Sequence, residues 1–222
     1  LKNGDAENDF IIEIDVWPVL EIPGTTSRAS RFIDIDLDDK RELIFTTGSD
    51  IQVYSPAGEI KEGFPGGIGT DPVEGAPVVG NIDDDPELEI VVHSSYLGIR
   101  GGLFAFNHDG TLVNGFPIEW DFGAPQKEPL LVNIDSDPEL EILSAVYNYP
   151  LANVFAHNGD GTLDEDWENV QLDYIPGTGP SAADLDGDGI PEIITCSYWK
   201  LYAWNIKAEL LDGFPFTFEQ DV

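Results

Sequence analysis

The sequence predicts an all-β protein built from repeated four-stranded antiparallel sheets. The 222 residues include 23 glycines and 16 prolines, a density of turn-forming residues that disfavours long helices. The apolar segments are short and rich in β-branched residues, as strands are. An acidic segment also recurs four times at nearly even spacing, which is the signature of a repeat architecture.

The four acidic segments each span nine residues and share one pattern of side chains. Aspartate or asparagine occupies positions 1, 3 and 5, and glutamate occupies position 9. We call the segments acid loops 1 to 4; they comprise residues 34–42, 81–89, 133–141 and 184–192.

An aromatic residue stands 17 residues before each acid loop, at Trp17, Phe64, Phe116 and Trp167, and a fifth follows at Phe214. Proline comes after it in every case except Trp167. This constant offset confines the length variation between repeats to four other segments, which we predict to be loops: residues 46–50, 93–101, 145–152 and 196–200.

Each repeat contains four segments with strand character. The first precedes the acid loop, as in residues 76–80, and the second follows it, as in residues 89–92. The third carries large alternating residues, as in residues 103–106, and a turn such as Asp109-Gly110 leads to a fourth strand predicted to end at the aromatic. Four antiparallel strands every 40 to 50 residues or so are typical of β-propeller blades, so we predict a β-propeller rather than a helical solenoid.

The acid loops have the composition of a calcium site. Oxygens at alternate positions of a curling loop can point at one centre, and the main-chain carbonyl of position 7 adds another ligand. Calcium takes about six to eight oxygens, whereas magnesium demands stricter geometry and zinc prefers His or Cys, which the loops lack. Up to four calcium ions are expected, on Asp34, Asp36, Asp38, Lys40 and Glu42; Asn81, Asp83, Asp85, Glu87 and Glu89; Asn133, Asp135, Asp137, Glu139 and Glu141; and Asp184, Asp186, Asp188, Ile190 and Glu192.

Two other interpretations of the acid loops, an EF-hand and a solvated turn, fit the sequence less well. An EF-hand needs an acid at position 12, where this chain has Phe45, Val92, Ser144 and Thr195. A solvated turn explains any single acidic stretch, but four copies in one register favour a metal site. Carboxylates about 4 Å apart repel by roughly 4 kcal/mol per pair at an effective dielectric constant near 20, so an ion is expected to hold each loop closed.

The charge of the chain excludes two classes of partner. With 43 Asp and Glu against 10 Lys and Arg, the formal net charge is -33, which repels nucleic acid and anionic membrane surfaces. No apolar stretch is long enough to span a bilayer. The single Cys196 is predicted to be a buried strand residue. The absence of methionine and the first residue Leu1 indicate a processed chain or an excised piece.

At the acid loops the sequence resembles the FG-GAP/VCBS repeat family, the calcium-binding blades of integrin alpha-type β-propellers. Residues 184–192 are most similar to the family loop, whereas Asp39, Pro86 and Pro138 replace its usual glycine and Asn81 and Asn133 replace its first aspartate. The resemblance implies a calcium-stabilised extracellular propeller, often of seven blades, used for cell adhesion or for recognition of proteins and glycans.

The chain is predicted to be a single β-propeller domain or a segment of one. Residues 1–18 are expected to end a preceding repeat, which favours a piece of a larger propeller of about seven blades over a closed ring of four. The four predicted repeats span approximately residues 19–65, 66–117, 118–168 and 169–215.

A non-enzymatic, extracellular recognition or adhesion module is the favoured function. The alternatives are the propeller domain of a secreted carbohydrate-active enzyme or quinone-dependent dehydrogenase, and a passive module of a surface layer. His93, His108 and His157 occupy different repeat positions, and the two near hairpin turns, His108 and His157, are expected to be solvated rather than catalytic. A protein or glycan partner is expected on the face opposite the acid loops, which gathers Tyr96, Trp120, Phe122, Tyr147, Tyr149, Tyr174, Tyr198 and Trp199.

Overall fold

Four antiparallel sheets follow one another along the chain. The computed structural model describes residues 29–218 apart from five positions, Thr70, Phe122, Gln126, Ser136 and Asn169. Within that part of the chain no α-helix occurs, so the all-β prediction is confirmed. The predicted end of a preceding repeat, residues 1–18, lies outside the described residues.

The first two sheets have the same strand order, with each strand paired to its neighbour in sequence. Sheet 1 contains β1 Arg31–Ile33, β2 Glu42–Thr47, β3 Asp50–Tyr54 and β4 Gly66–Gly67. Sheet 2 contains β5 Val73–Gly80, β6 Glu89–Tyr96, β7 Arg100–Phe106 and β8 Ile118–Trp120.

The last two sheets repeat this order with one addition. Sheet 3 contains β10 Leu130–Val132, β11 Glu141–Asn148, β12 Leu151–His157 and β13 Val170–Leu172, and the short β9 Ala124–Pro125 pairs with β11 beyond the end of β10. Sheet 4 contains β14 Ser181–Ala183, β15 Glu192–Ser197, β16 Lys200–Trp204 and β17 Phe216–Thr217.

The fourth strand of each sheet follows the aromatic marker rather than ending at it, so that part of the prediction is wrong. In sheet 2 the segment before Phe116 makes a single bridge, between Leu112 and Phe106, and the paired strand β8 begins only at Ile118. The cause is the glycine before the aromatic: Gly115 has φ +96°, which takes the backbone out of the extended conformation. Gly63 and Gly213 have the same conformation.

The segments predicted to be variable loops are mostly strand. The second and third strands of each sheet are joined by turns of two or three residues. The second strands β6 and β11 have eight residues, whereas β2 and β15 have six. Length variation is therefore absorbed by longer strands, whose backbone groups remain paired, rather than by longer loops.

Each sheet packs against the next through one apolar cluster. Sheets 1 and 2 share a cluster that includes Ile51, Phe64 and Phe104. Sheets 2 and 3 share another around Phe116 and Ile142, and sheets 3 and 4 share a third around the fully buried Trp167. The marker aromatic of one sheet is thus a core residue of its contact with the following sheet.

Close backbone contact accompanies these clusters. A side chain at Gly63 would collide with the main-chain carbonyl of Asp109, in the hairpin turn of the next sheet, and one at Gly115 would collide with that of Asp160. The equivalent Gly213 of sheet 4 has no atom within 4 Å of the position that a Cβ would take. Glycine therefore allows sheets 1 and 2 to approach their successors, whereas sheet 3 has Asp166 at this position and sheet 4 leaves the surface around Gly213 open.

Other positions on the far side of sheet 4 are also exposed. Position 2 of the acid loop is buried in the first three sheets, where Ile35, Ile82 and Ile134 occupy it. The corresponding Leu185 is 50% exposed, and Phe216 in the last strand is 54% exposed. We call the surface formed by Leu185, Gly213 and Phe216 the open face of sheet 4.

Candidate metal centre

The acid loops connect the first and second strands of every sheet: β1 to β2, β5 to β6, β10 to β11, and β14 to β15. Position 9 is in each case the first residue of the second strand, which places its side chain against the loop that precedes it. Because the sheets have the same topology, the loops occupy equivalent places in all four.

Three carboxylates converge in each loop, with one oxygen from each lying within 4.8 Å of the others. Acid loops 1 and 4 bring together positions 1, 3 and 9, whereas acid loops 2 and 3 bring together positions 3, 5 and 9. The clusters are Asp34, Asp36 and Glu42; Asp83, Asp85 and Glu89; Asp135, Asp137 and Glu141; and Asp184, Asp186 and Glu192.

The glutamate at position 9 is buried in all four loops, with residue exposures of 0–4%. Its Oε2 accepts a hydrogen bond from the backbone N–H of position 2, at 2.7–3.1 Å in every copy. One carboxylate oxygen thus ties the loop to the strand, and the other faces the remaining acids.

Burial raises the pKa of this glutamate. The pKa of Glu89 and that of Glu141 are each raised to about 7, chiefly by desolvation and further by the neighbouring aspartates of their loops. The pKa of Glu42 is also raised, again first by burial. Glu89 Oε1 is buried with no hydrogen-bond partner. A buried carboxylate oxygen without a partner, beside two more carboxylates, fits a hard cation such as calcium.

The other predicted ligands have contacts within their own loops. The carboxylate at position 5 accepts the backbone N–H of position 7 at 2.7–3.1 Å in all four copies, which pairs Asp38 with Lys40, Asp85 with Glu87, Asp137 with Glu139, and Asp188 with Ile190. The amides of Asn81 and Asn133 donate to the main-chain carbonyls of Asp85 and Asp137. Asn81 and Asn133 therefore brace their loops, and the carboxylates of Asp38 and Asp188 lie outside the three that converge. The roles of the two asparagines and of the position-7 carbonyls as ligands stay predictions.

The two sets of converging carboxylates differ first because position 1 is aspartate in acid loops 1 and 4 and asparagine in acid loops 2 and 3. The loops also differ in backbone conformation. In acid loop 4 the backbone N–H groups of Gly187 and Gly189 donate to the carboxylate of Asp184, and both glycines have positive φ. Acid loop 1 has the same positive φ at Leu37 and Asp39. Acid loops 2 and 3 have proline at position 6, whose ring fixes φ near -65° and excludes this conformation.

Two lysines contact the carboxylates of acid loop 1, which the sequence did not predict. Lys61 Nζ forms an ion pair with Asp36 Oδ2, and Lys40 Nζ lies 2.8 Å from Asp38 Oδ2. Lys61 lies between β3 and β4, 25 residues along the chain from Asp36. Asp36 Oδ1 is buried without a partner. No local motif signals such a pairing, because it depends on how the fourth segment of the sheet folds back.

Exposed aromatic rings form a continuous row at the other end of sheets 3 and 4. The ring-centroid distances are 6.3 Å from Tyr149 to Tyr147, 6.4 Å from Tyr147 to Tyr174, 5.6 Å from Tyr174 to Tyr198, and 3.9 Å from Tyr198 to Trp199. Tyr147 is half-buried near the end of β11, and the exposed members lie in the turns after β11 and β15 and in the connection from β13 to β14. We call them the aromatic row.

The remaining aromatic candidates are placed differently. Tyr96 is 45% exposed and lies 5.0 Å from the Arg100 guanidinium, outside the row. Trp120 is half-buried, and its ring lies 6.3 Å from that of His93 and 6.2 Å from that of His157. Phe122 lies outside the described residues.

The histidines are not arranged as expected. His93 and His157 are both buried, so the expectation that His157 is solvated is wrong. His93 joins two sheets, because Nδ1 lies 2.7 Å from the carbonyl of Lys127 and Nε2 lies 2.8 Å from Ser144 Oγ. Burial lowers the pKa of each to about 4. Cys196 is half-buried in β15 rather than buried as predicted.

One part of the chain matches a known family of repeats. Residues 133–195, which run from acid loop 3 into β15, match the family model of the FG-GAP-like repeat. The chain contains an FG-GAP-like repeat. The resemblance predicted from the acid loops is therefore confirmed, and the matched residues include the whole of acid loops 3 and 4. No curated protein matches the chain at a significant level.

The fold is similar to part of a solved structure, the crystal structure of the V. cholerae biofilm matrix protein Bap1. The TM-score is 0.55 at 17% sequence identity, and the match covers 82% of this chain and 27% of that one. The similarity therefore concerns the fold, and the chain spans about a quarter of the length of Bap1. Among the described residues, none belongs to a helix long and apolar enough to cross a membrane.

Proposed function

We propose that the chain is a calcium-stabilised segment of an extracellular β-propeller that acts as a non-enzymatic recognition or adhesion module. The observation that carries the proposal is the separation of two features at opposite ends of the sheets. Clusters of carboxylates lie between the first and second strands, and a row of exposed rings lies beyond the second and third. In this proposal calcium stabilises the acid loops at one end of the sheets, and the aromatic row at the other end contacts a partner.

The propeller arrangement is supported by the repetition of both sheet and contact. Four sheets of one strand order pack in sequence, and each uses its marker aromatic at the contact with the next. The FG-GAP-like repeat and the fold similarity to Bap1 agree with this arrangement. We propose that the repeats belong to a ring of more than four blades, because the open face of sheet 4 has the composition of a blade contact.

Calcium is the proposed ion, and Glu89, Glu141 and Glu192 are its innermost ligands. The support is chemical: each loop buries a carboxylate that would otherwise be desolvated beside other negative charges, and a divalent cation offsets that cost. Ions that bind only the folded state stabilise it by an amount that rises with the logarithm of the ratio of ion concentration to dissociation constant. An extracellular location follows from the same proposal, since calcium is abundant there and the high negative charge then faces a saline medium.

The calcium proposal is tested by thermal unfolding with and without metal. Titration of the chelated chain with calcium should raise the melting temperature in a saturable manner, and elemental analysis should show bound calcium. Magnesium at the same concentration is the control and should raise it less, because magnesium retains its waters. A melting temperature that is the same in calcium and in chelator would refute the proposal.

The aromatic row is the proposed contact surface for a protein or glycan partner. Tyr149 is 78% exposed and Tyr198 is 59% exposed, yet the rings contact one another, so they present a preformed apolar surface with polar hydroxyl groups. A cleft of about 410 Å³ adjoins the row and is lined in part by Leu97, Tyr147 and Ile175. Lys200 and Asp173, which lie next to the row in sequence, form an ion pair with each other.

Binding to a glycan array and to extracellular-matrix proteins, in calcium, tests this surface. Tyr149→Ala and Trp199→Ala are expected to reduce binding about tenfold or more, because exposed aromatic anchors carry much of an interface's affinity. Phe32→Ala is the matched control, since Phe32 is 50% exposed on β1, away from the row. Equal losses in all three variants, or binding that survives Tyr149→Ala and Trp199→Ala together, would place the contact surface elsewhere.

A further inference from the structure

We infer that acid loop 1 is not a calcium site and that the Lys61 ammonium takes the place of the ion there. The inference rests on the proposed function in one respect, namely that the other acid loops bind calcium. It reduces the expected number of calcium ions from four to three.

The position of Lys61 is the first argument. Its Nζ forms an ion pair with Oδ2 of Asp36, the position-3 carboxylate that also belongs to the three-acid cluster with Asp34 and Glu42. The side chains of Lys61 and Asp36 are only 21% and 24% exposed, so the pair is partly removed from water. An ammonium has three N–H donors and no acceptor, so it can serve several carboxylate oxygens of one cluster but cannot ligate a cation.

Charge is the second argument. Lys40 contacts Asp38 in the same loop, at 2.8 Å. Asp38 lies outside the three-acid cluster, so Lys40 adds positive charge beside the cluster whereas Lys61 contacts one of its members. A calcium ion at this cluster would lie beside the Lys61 ammonium even if it bound Asp36 through the unpartnered Oδ1, so its binding is opposed by like-charge repulsion.

The other acid loops provide the contrast. Lys61 stands three residues before the marker aromatic Phe64, and the residues at that position in the other repeats are Val113, Asp164 and Leu211. Val113 is buried and lines a cleft beside Asp83 and Asp85, where it offers no donor. Among the described residues, no lysine or arginine forms an ion pair with an acid of loops 2, 3 or 4. Those loops have no internal replacement for an ion.

Counting bound calcium tests the inference directly. The purified chain, equilibrated with calcium and freed of loosely bound ions, should contain three ions, and Lys61→Met should contain four. Lys207→Met is the matched control: Lys207 lies 3.6 Å from Asp166, away from the acid loops, and this variant should keep three. Four ions in the unaltered chain, or no additional ion in Lys61→Met, would overturn the inference. A total absence of calcium from both would refute the calcium proposal as well, so the two failures are distinguishable.

A second measurement works without calcium. In chelator, Lys61→Met should lower the free energy of unfolding, and by more than Asp36→Asn does. Most of this effect should disappear when Asp36→Asn is already present. A double-mutant cycle by urea unfolding should give a coupling of about fivefold or more in the equilibrium constant. Added calcium should restore the stability of Lys61→Met in particular. Additive effects of the two changes would show that Lys61 does not neutralise the cluster.

Discussion

At the residue scale, the glutamate at position 9 is expected to have opposite effects on stability with and without metal. Its Oε2 anchors the loop to the strand, while its charge is buried among other acids. We expect Glu89→Gln to retain the hydrogen bond to Ile82 and remove the charge. At pH 8 in chelator the variant should be more stable by about 1–3 kcal/mol, whereas in calcium it should be less stable than the unaltered chain.

Urea unfolding in chelator and in calcium measures this reversal. Glu165→Gln is the control, since Glu165 is an exposed acid outside the loops, and it should change stability little in either medium. If Glu89→Gln destabilised the chain equally in both media, the glutamate would act through its hydrogen bond alone.

Backbone conformation gives a second prediction at this scale. Leu37 has φ +57° in acid loop 1, where acid loop 4 has Gly187 at φ +84°. A side chain in this conformation costs about 1–2 kcal/mol. Leu37→Gly is therefore expected to stabilise the chain, offset in part by the greater entropy of glycine in the unfolded state, and Gly187→Leu should destabilise it by about 1–2 kcal/mol.

Thermal unfolding of both variants at saturating calcium checks this pair. No atom lies within 4 Å of a Cβ built at Gly187, so steric collision does not contribute to the effect there. A neutral Gly187→Leu would mean that the loop relaxes out of the positive-φ conformation without cost.

The sequence predicted the candidate ligands better than their grouping. The alternating acids and the closing glutamate are visible in any one loop, and the structure brings three of them together in each. Position 1 contributes a carboxylate only in acid loops 1 and 4, because acid loops 2 and 3 have asparagine there and use position 5 instead. The positive φ of Leu37 and Asp39 in acid loop 1 could not be predicted, since neither residue is glycine. Lys61 approaches Asp36 only through tertiary folding, so neither spacing nor composition indicated it.

At the scale of the elements, the glycine before the marker aromatic contacts the next sheet at Gly63 and, among the described residues, contacts no other sheet at Gly213. Gly63 and Gly213 have φ of +87° and +90°, so alanine incurs the same backbone strain at both. Only at Gly63 does the added methyl collide with the next sheet, at Asp109. We expect Gly63→Ala to cost about 2 kcal/mol or more beyond the cost of Gly213→Ala.

Parallel denaturant titrations of Gly63→Ala and Gly213→Ala measure that difference, and Gly115→Ala should behave like Gly63→Ala because it meets Asp160. Equal costs at Gly63 and Gly213 would indicate that the sheets separate easily enough to accommodate a methyl group.

Most of the strands can be predicted from the sequence. The first three strands of each repeat were predicted because their apolar and β-branched residues alternate or run continuously beside the acid loop. The fourth was misplaced because Gly115 and its equivalents end the extended segment, and pieces as short as Gly66–Gly67 carry no strand pattern. The segments between the second and third strands are predicted to be loops but are mostly strand, because extra residues in a strand and extra residues in a loop give similar sequence patterns.

At the scale of the whole molecule, the two buried histidines and the buried glutamates contribute pH dependences of opposite sign. The pKa values of His93 and His157 are lowered to about 4 in the folded chain, against about 6.5 when unfolded, so the unfolded chain binds more protons at these residues between the two values. The histidine contribution to stability is therefore lost as the pH decreases from about 6.5 towards 4, by on the order of 2 kcal/mol per histidine at pH 5. The raised pKa values of Glu89 and Glu141, about 7, favour the folded chain as the pH falls and act in the opposite direction in the absence of metal.

Comparing stability at pH 7.5 and pH 5 in the unaltered chain and in His93→Gln isolates this contribution, because the carboxylates titrate alike in both. The change in stability from pH 7.5 to pH 5 should be more favourable in the variant than in the unaltered chain, by on the order of 2 kcal/mol. Ser144→Ala is the control: it removes the partner of His93 Nε2 but keeps the imidazole, so it should be weaker at both pH values with a similar difference between them. A pH dependence unchanged by His93→Gln would contradict the prediction.

The open face of sheet 4 makes the two ends of the row of sheets different from each other. Leu185, Gly213 and Phe216 occupy positions that, in the preceding sheets, meet the hairpin turn and strands of a successor. Such a face is complementary to the leading side of a repeat and not to itself, so any contact it makes is heterologous rather than twofold symmetric. Head-to-tail contacts of this kind either close into a ring or continue as a fibre, and the rotation between successive sheets determines which.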